Sequence, residues 1–162
     1  MKDRIELTTP TDREVRFTAT FNAPRPIVFD ALTKPEYIPR WLGAPGRTMV
    51  ICEVDLRVGG AYRFVWRGPG KSDVGMNGIF REVMAPERYV RSERWEDWDA
   101  GEIVATVDLV AAGDATVVTT SVRFPSTEIR DQVLTAGMQH GVEDGFAKLD
   151  VLVNALARST AS

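Results

Sequence analysis

Between Thr48 and Phe124 the chain reads as six short β segments joined by links too short to hold a crossover helix. The segments are TMVICEVDL, GAYRFVWRG, VGMNGIFREVM, ERYVRSERW, EIVATVDLV and TVVTTSVRF. They are punctuated by Gly59-Gly60, the turn cluster GPGKSD, Pro86, Asp99-Ala100-Gly101 and Gly113-Asp114. A parallel pair needs a connection of about a dozen residues or more, so these links dictate antiparallel neighbours. An earlier segment, EVRFTATFNA, alternates cleanly: Val15, Phe17, Ala19 and Phe21 share one face, and Arg16, Thr18 and Thr20 the other, as in a half-buried strand.

Two short helices are expected between that first strand and the rest. Asn22 is placed to cap the first, and Pro24 and Pro26 suit a first turn, where a missing N–H is not needed. Ile27, Val28, Ala31 and Leu32 give it a short apolar stripe. Pro35 opens a second helix over EYIPRWL, which Gly43 and Pro45 end. At the other end of the chain Ser126 offers an N-cap, with Glu128 in the first turn, and helical periodicity then runs to about Arg158 with a break near Ala136-Gly137. The resulting order, one strand, two short helices, six strands and one long helix, is that of an α+β fold with a single antiparallel sheet facing the C-terminal helix. Residues 1–13 are polar and expected to be a flexible N-terminal segment; residues 14–162 are expected to form a single domain.

The helical segment contains the stretch GMQHGVEDG, with three glycines spaced by four and the only histidine. On a wheel of about 100° per residue, Met138, Val142, Phe146, Leu149, Val153 and Leu156 form one apolar stripe. Gly141 and Gly145 fall on its edge. His140 falls opposite, with Asp144 four residues on, so the expectation is a solvent-facing pair rather than a catalyst. No nucleophile elbow accompanies it, no metal-type cluster is visible, and no cofactor is implied. Cys52 shares a strand with Val50, Val54 and Leu56 and reads as a small core residue. Each interior glycine costs a helix about 1 kcal/mol relative to alanine. Two readings stand level: the glycines let the helix lie close to the sheet, or they leave room for a ligand. On the second reading, Gly145→Leu should fill that room, sparing the fold and weakening binding.

Tyr62, Phe64 and Trp66 give one strand an aromatic face, against Arg63, Val65 and Arg67 on the other. An aromatic core and an aromatic-lined cavity both fit this pattern. In ERYVRSERW, the register that buries Tyr89 and Trp95 also turns Arg91 and Glu93 inward, where they would form the polar end of a pocket. The opposite register would turn Val90, Ser92 and Arg94 inward; the first is preferred because it buries two aromatics.

With 20 basic against 23 acidic residues and a net charge of −3, the chain lacks the basic excess of a nucleic-acid binder. The single cysteine precludes an internal disulfide, and neither a signal-peptide core nor an apolar run of about 20 residues is present, so a cytoplasmic protein without membrane insertion is expected.

FNAPRPIVFDALTKPEYIPRWLG, DLRVGGAYRFVWRGP, GIFREVMAPERYV and TAGMQHGVEDGFAKLDVLVNAL together resemble the bacterial single-domain proteins similar to the C-terminal domain of the Hsp90 ATPase activator. These fall in the START/Bet v 1-like (SRPBCC) superfamily. The resemblance spans roughly residues 14 to 158. It implies a helix-grip fold, a curved antiparallel sheet around a long C-terminal helix, with a hydrophobic cavity between the two. The activator itself carries a further N-terminal domain important for engaging Hsp90; a chain of 162 residues has no room for it, so the expectation runs against a co-chaperone role.

The function expected first is therefore binding of a small hydrophobic or aromatic molecule. Trp41, Tyr62, Phe64, Trp66 and Trp95 are the wall candidates on the sheet side, and Met138, Val142 and Phe146 on the helix. Gly141 and Gly145 would make space, and Arg91 and Glu93 would orient the ligand. A cyclase- or hydrolase-like enzyme using Glu93 in the same cavity is the alternative, since a carboxyl in an apolar pocket can serve as acid or base. A chaperone-type or stress-response partner protein and a homodimer are further alternatives.

Overall fold

A computed structural model describes residues 5–161. Eight strands form one antiparallel sheet: β1 (Glu6–Thr8), β2 (Glu14–Phe21), β3 (Thr48–Val54), β4 (Ala61–Arg67), β5 (Val74–Met84), β6 (Arg88–Trp95), β7 (Ile103–Ala112) and β8 (Ala115–Arg123). Their order is β1-β2-β8-β7-β6-β5-β4-β3. Chain-adjacent strands from β3 to β8 are thus neighbours in space, as the short links require. The only long jump brings β2 alongside β8, with Val15 opposite Val122 and Phe21 opposite Thr116.

Within the N-terminal segment expected to be flexible, Glu6–Thr8 form β1, which pairs Leu7 with Phe17 of β2. Three residues are too few to show an alternation in sequence; the pairing comes from the free edge of β2, whose backbone groups need partners. Residues 1–4, part of the same expectation, lie outside the described residues.

Helix α1 (Arg25–Thr33) is capped by the Pro24 backbone rather than by Asn22. The Pro24 carbonyl accepts from the N–H groups of Ile27 and Val28 at 3.0 and 3.2 Å. The second short helix is only a 3-10 turn, Ile38–Arg40. At the C-terminal end, α2 (Thr127–Thr135) is capped by Ser126, whose hydroxyl accepts from the Ile129 N–H, and α3 runs Met138–Ala161. The break falls at Gly137, whose φ of +100° is a backbone state that side-chain-bearing residues rarely adopt.

Val15, Phe17, Ala19 and Phe21 are all buried, as the alternation predicts. On β3 the alternation shifts. A bulge between Met49 and Ile51 turns Val50 outward, leaving it 46% exposed, while Cys52 and Val54 stay against the core. Burial pushes the Cys52 thiol up to about 11, so it is an inert packing residue at neutral pH.

Helix α3 does not lie flush on the sheet. Its close backbone neighbours are α1, α2 and the 3-10 turn. It reaches the sheet through Phe146, whose ring meets Phe17 and Phe21 edge-on at 5.6 and 5.4 Å. That stand-off separates helix from sheet and positions the site.

Candidate functional site

The space left between α3 and the sheet is a pocket of about 1140 Å³. Most of its wall comes from three sources. The inner faces of β4 to β8 supply Trp66, Met76, Tyr89, Trp95 and Val107, among others. The first half of α3 supplies Met138, Val142 and Phe146. The segment 41–48 after the 3-10 turn closes one side. The lining is mostly apolar, which is the usual character of a small-molecule site.

Two hydrogen bonds shape the Trp41 side. Residue 35 is a proline, so the Ala31 carbonyl, whose helical partner would be the N–H of residue 35, has none. The Trp41 indole Nε1 takes that role, donating to it at 2.8 Å in a buried position. One strand over, the Trp66 Nε1 donates to the Leu42 carbonyl at 3.2 Å, and the Trp66 ring stacks on Trp95 at 6.1 Å. The segment carrying Trp41 and Leu42 is therefore tied to both α1 and β4.

The polar end lies on β6. Tyr89, Arg91, Glu93 and Trp95 all face the pocket, so the register that buries the aromatics is the one adopted. The Arg91 guanidinium sits 4.5 Å over the Tyr62 ring and 5.6 and 5.8 Å from the rings of Phe64 and Tyr89. Its Nη2 is 3.6 Å from Glu93 Oε1, an ion pair longer than a hydrogen bond, with both side chains about 15% exposed (14% and 16%). Burial works against the Arg91 charge, but Tyr62, Tyr89 and Glu93 outweigh it and hold its pKa above the usual arginine value. Burial pushes the Glu93 carboxyl above the usual carboxylate range, and the Arg91 charge opposes this without cancelling it.

Not every expected wall residue reaches the pocket. Trp41, Trp66, Arg91, Glu93, Trp95, Met138, Gly141, Val142, Gly145 and Phe146 line it. Tyr62 and Phe64 do not: both are buried beneath Arg91, and the Tyr62 hydroxyl is engaged with the Ser92 carbonyl at 2.6 Å. They support the polar end from below. His140 is exposed and pairs with Asp144 at 3.3 Å, as the wheel predicts, yet both border the pocket mouth. Among lining residues that the wall expectation passed over, Tyr89 shares strand parity with Arg91, Glu93 and Trp95, and Phe17 lies on the inward face that alternation marks on β2. The 43–48 segment carries no periodic signal at all. Among the described residues no group of three or more His, Cys, Asp or Glu could hold a metal, and no helix is long and apolar enough to cross a membrane.

A family model described as Activator of Hsp90 ATPase homolog 1-like protein matches residues 22–154. Solved structures similar to the chain include a Rhodobacter sphaeroides protein at 29% identity and TM-score 0.88, covering 93% of this chain and 99% of that one. The Mycobacterium smegmatis protein Ms6760 is 20% identical with TM-score 0.81, covering 92% and 96%, and NE0264 from Nitrosomonas europaea is 22% identical with TM-score 0.79, covering 91% and 99%. The last two likenesses concern the fold alone. Among curated proteins the chain has no match.

Proposed function

The chain belongs to the Activator of Hsp90 ATPase homolog 1-like family, with its helix-grip fold, and on that premise we propose that it binds a small hydrophobic or aromatic molecule between sheet and C-terminal helix. The observation that carries this reading is the roughly 1140 Å³ pocket itself, apolar for most of its wall and ending in the Arg91–Glu93 pair. A solid core would have met the needs of folding without such a space, since interiors normally pack with few voids. Trp41, Trp66 and Trp95 in the wall make the protein its own reporter. Titration with a panel of lipids, polycyclic aromatics and polyketides should change tryptophan emission saturably for at least one class. A flat response across the whole panel would remove the proposal.

Acid–base catalysis in the same cavity is the second reading, and the raised Glu93 carboxyl speaks for it. It needs a second reacting group beside Glu93, and the nearest charged partner is Arg91, which stays protonated. Binding is the better supported of the two.

A further inference from the structure

The polar end of the pocket is chemically incomplete. Among the described residues the Arg91 Nε is buried without a partner, and the Arg91 Nη2 stands 3.6 Å from Glu93 Oε1, beyond ordinary hydrogen-bond length. Tyr89 and Glu93 line the same wall of the pocket. Buried polar groups are nearly always hydrogen-bonded, so a partnerless donor in a loosely closed donor–acceptor pair that lines an apolar pocket marks a place for a ligand group. Three aromatic rings around the guanidinium fix its position, so it cannot turn away to solvent when the pocket fills.

Charge then decides what group fits. Arg91 and an ionised Glu93 sum to zero. A carboxylate attracted to Arg91 would face the Glu93 charge, and an ammonium attracted to Glu93 would face Arg91; in a low-dielectric site either mismatch is severe. A neutral group that donates and accepts at once satisfies both. Resting on the binding function proposed above, we infer that the Arg91–Glu93 pair selects uncharged, hydroxyl-bearing apolar ligands, with the hydroxyl donating to Glu93 and accepting from Arg91.

The test is calorimetric titration of the full chain with phenanthren-9-ol, phenanthrene-9-carboxylate, phenanthren-9-ylmethylammonium and phenanthrene at neutral pH. The hydroxyl compound should bind at least about tenfold more tightly than either charged one, as hydrogen bonds to charged groups imply. Glu93→Gln leaves a net positive site and should move the preference about tenfold or more toward the carboxylate; Arg91→Gln, the second variant, should move it toward the ammonium. A carboxylate or ammonium that binds wild type as tightly as the hydroxyl compound overturns the inference. So do four equal affinities, which would leave the pocket reading standing. Failure of all four to bind counts against the pocket as well as against its selectivity.

Discussion

The carbonyl oxygen of Trp41 lies 3.4 Å from the point where a Cβ on Gly145 would stand, and the Trp41 ring 3.8 Å from it. One turn earlier, nothing lies within 4 Å of the equivalent point on Gly141. The two glycines therefore differ in the room beside them, though both line the pocket. At Gly145 a Cβ would already be in van der Waals contact with the Trp41 segment, not with the sheet, so a longer side chain finds no room on that side. Gly141 borders open pocket.

A first prediction follows from that difference. Gly141→Ala should stabilise the protein by about 1 kcal/mol, the helix-propensity gain with nothing to clash. Gly141→Leu should keep the fold and weaken ligand binding by occupying the mouth. Gly145→Leu, expected from sequence to spare the fold, should instead overpack against Trp41 and lose about 1–3 kcal/mol. Thermal melts of the three variants check this, and a Gly145→Leu protein melting with wild type would refute the close-packing assignment.

That reassignment shows where sequence reading stops. Period-two alternation placed Tyr62, Phe64 and Trp66 on one face and chose the inward register of Arg91 and Glu93, because strand parity is local. Depth is not local. Whether an inward residue lines the pocket or lies beneath it depends on how far α3 stands from the sheet, which Phe146 and the Trp41 segment set together. Parity alone could not place Trp66 in the wall and Tyr62 and Phe64 below it. The Val50 bulge and the β1 pairing escaped for a similar reason, since each is decided by the partner strand.

Trp41 provides a second prediction. Its indole donates to the Ala31 carbonyl, which Pro35 leaves without a helical partner. Trp41→Phe keeps most of the apolar volume but orphans that buried carbonyl. The expected loss is about 1–3 kcal/mol in denaturant unfolding. A loss near zero would mean that solvent reaches the carbonyl once the indole is gone.

Gly137 separates α2 from α3 with a φ of +100°, and no atom lies within 4 Å of its would-be Cβ. Space is therefore not the constraint; backbone conformation is. Gly137→Ala should destabilise by about 1–2 kcal/mol through strain alone. Because α2 has no fully buried residue, the loss should appear first as faster amide exchange in α2. Unchanged exchange and unchanged melting would show that the two helices can join without this turn.

The last prediction concerns pH. Burial holds the folded-state Glu93 carboxyl above its ordinary value of 4.5. A group raised in this way contributes stability that is fully present below the unfolded pKa and is lost as pH rises through the folded one. Acidification from neutral pH to about 4.5 should therefore favour wild type over Glu93→Gln, whose amide does not titrate. Asp73 and Glu96 act in the opposite sense. Hydrogen bonds from Arg67 and from Arg63 hold their carboxyls low, so their contributions are lost as pH falls. Both groups are present in both proteins and cancel in the comparison. The difference in melting temperature, wild type minus Glu93→Gln, should thus grow as pH drops through this window and flatten below it. A difference that stays constant would mean that burial does not raise the Glu93 carboxyl and that it titrates as an exposed carboxylate does.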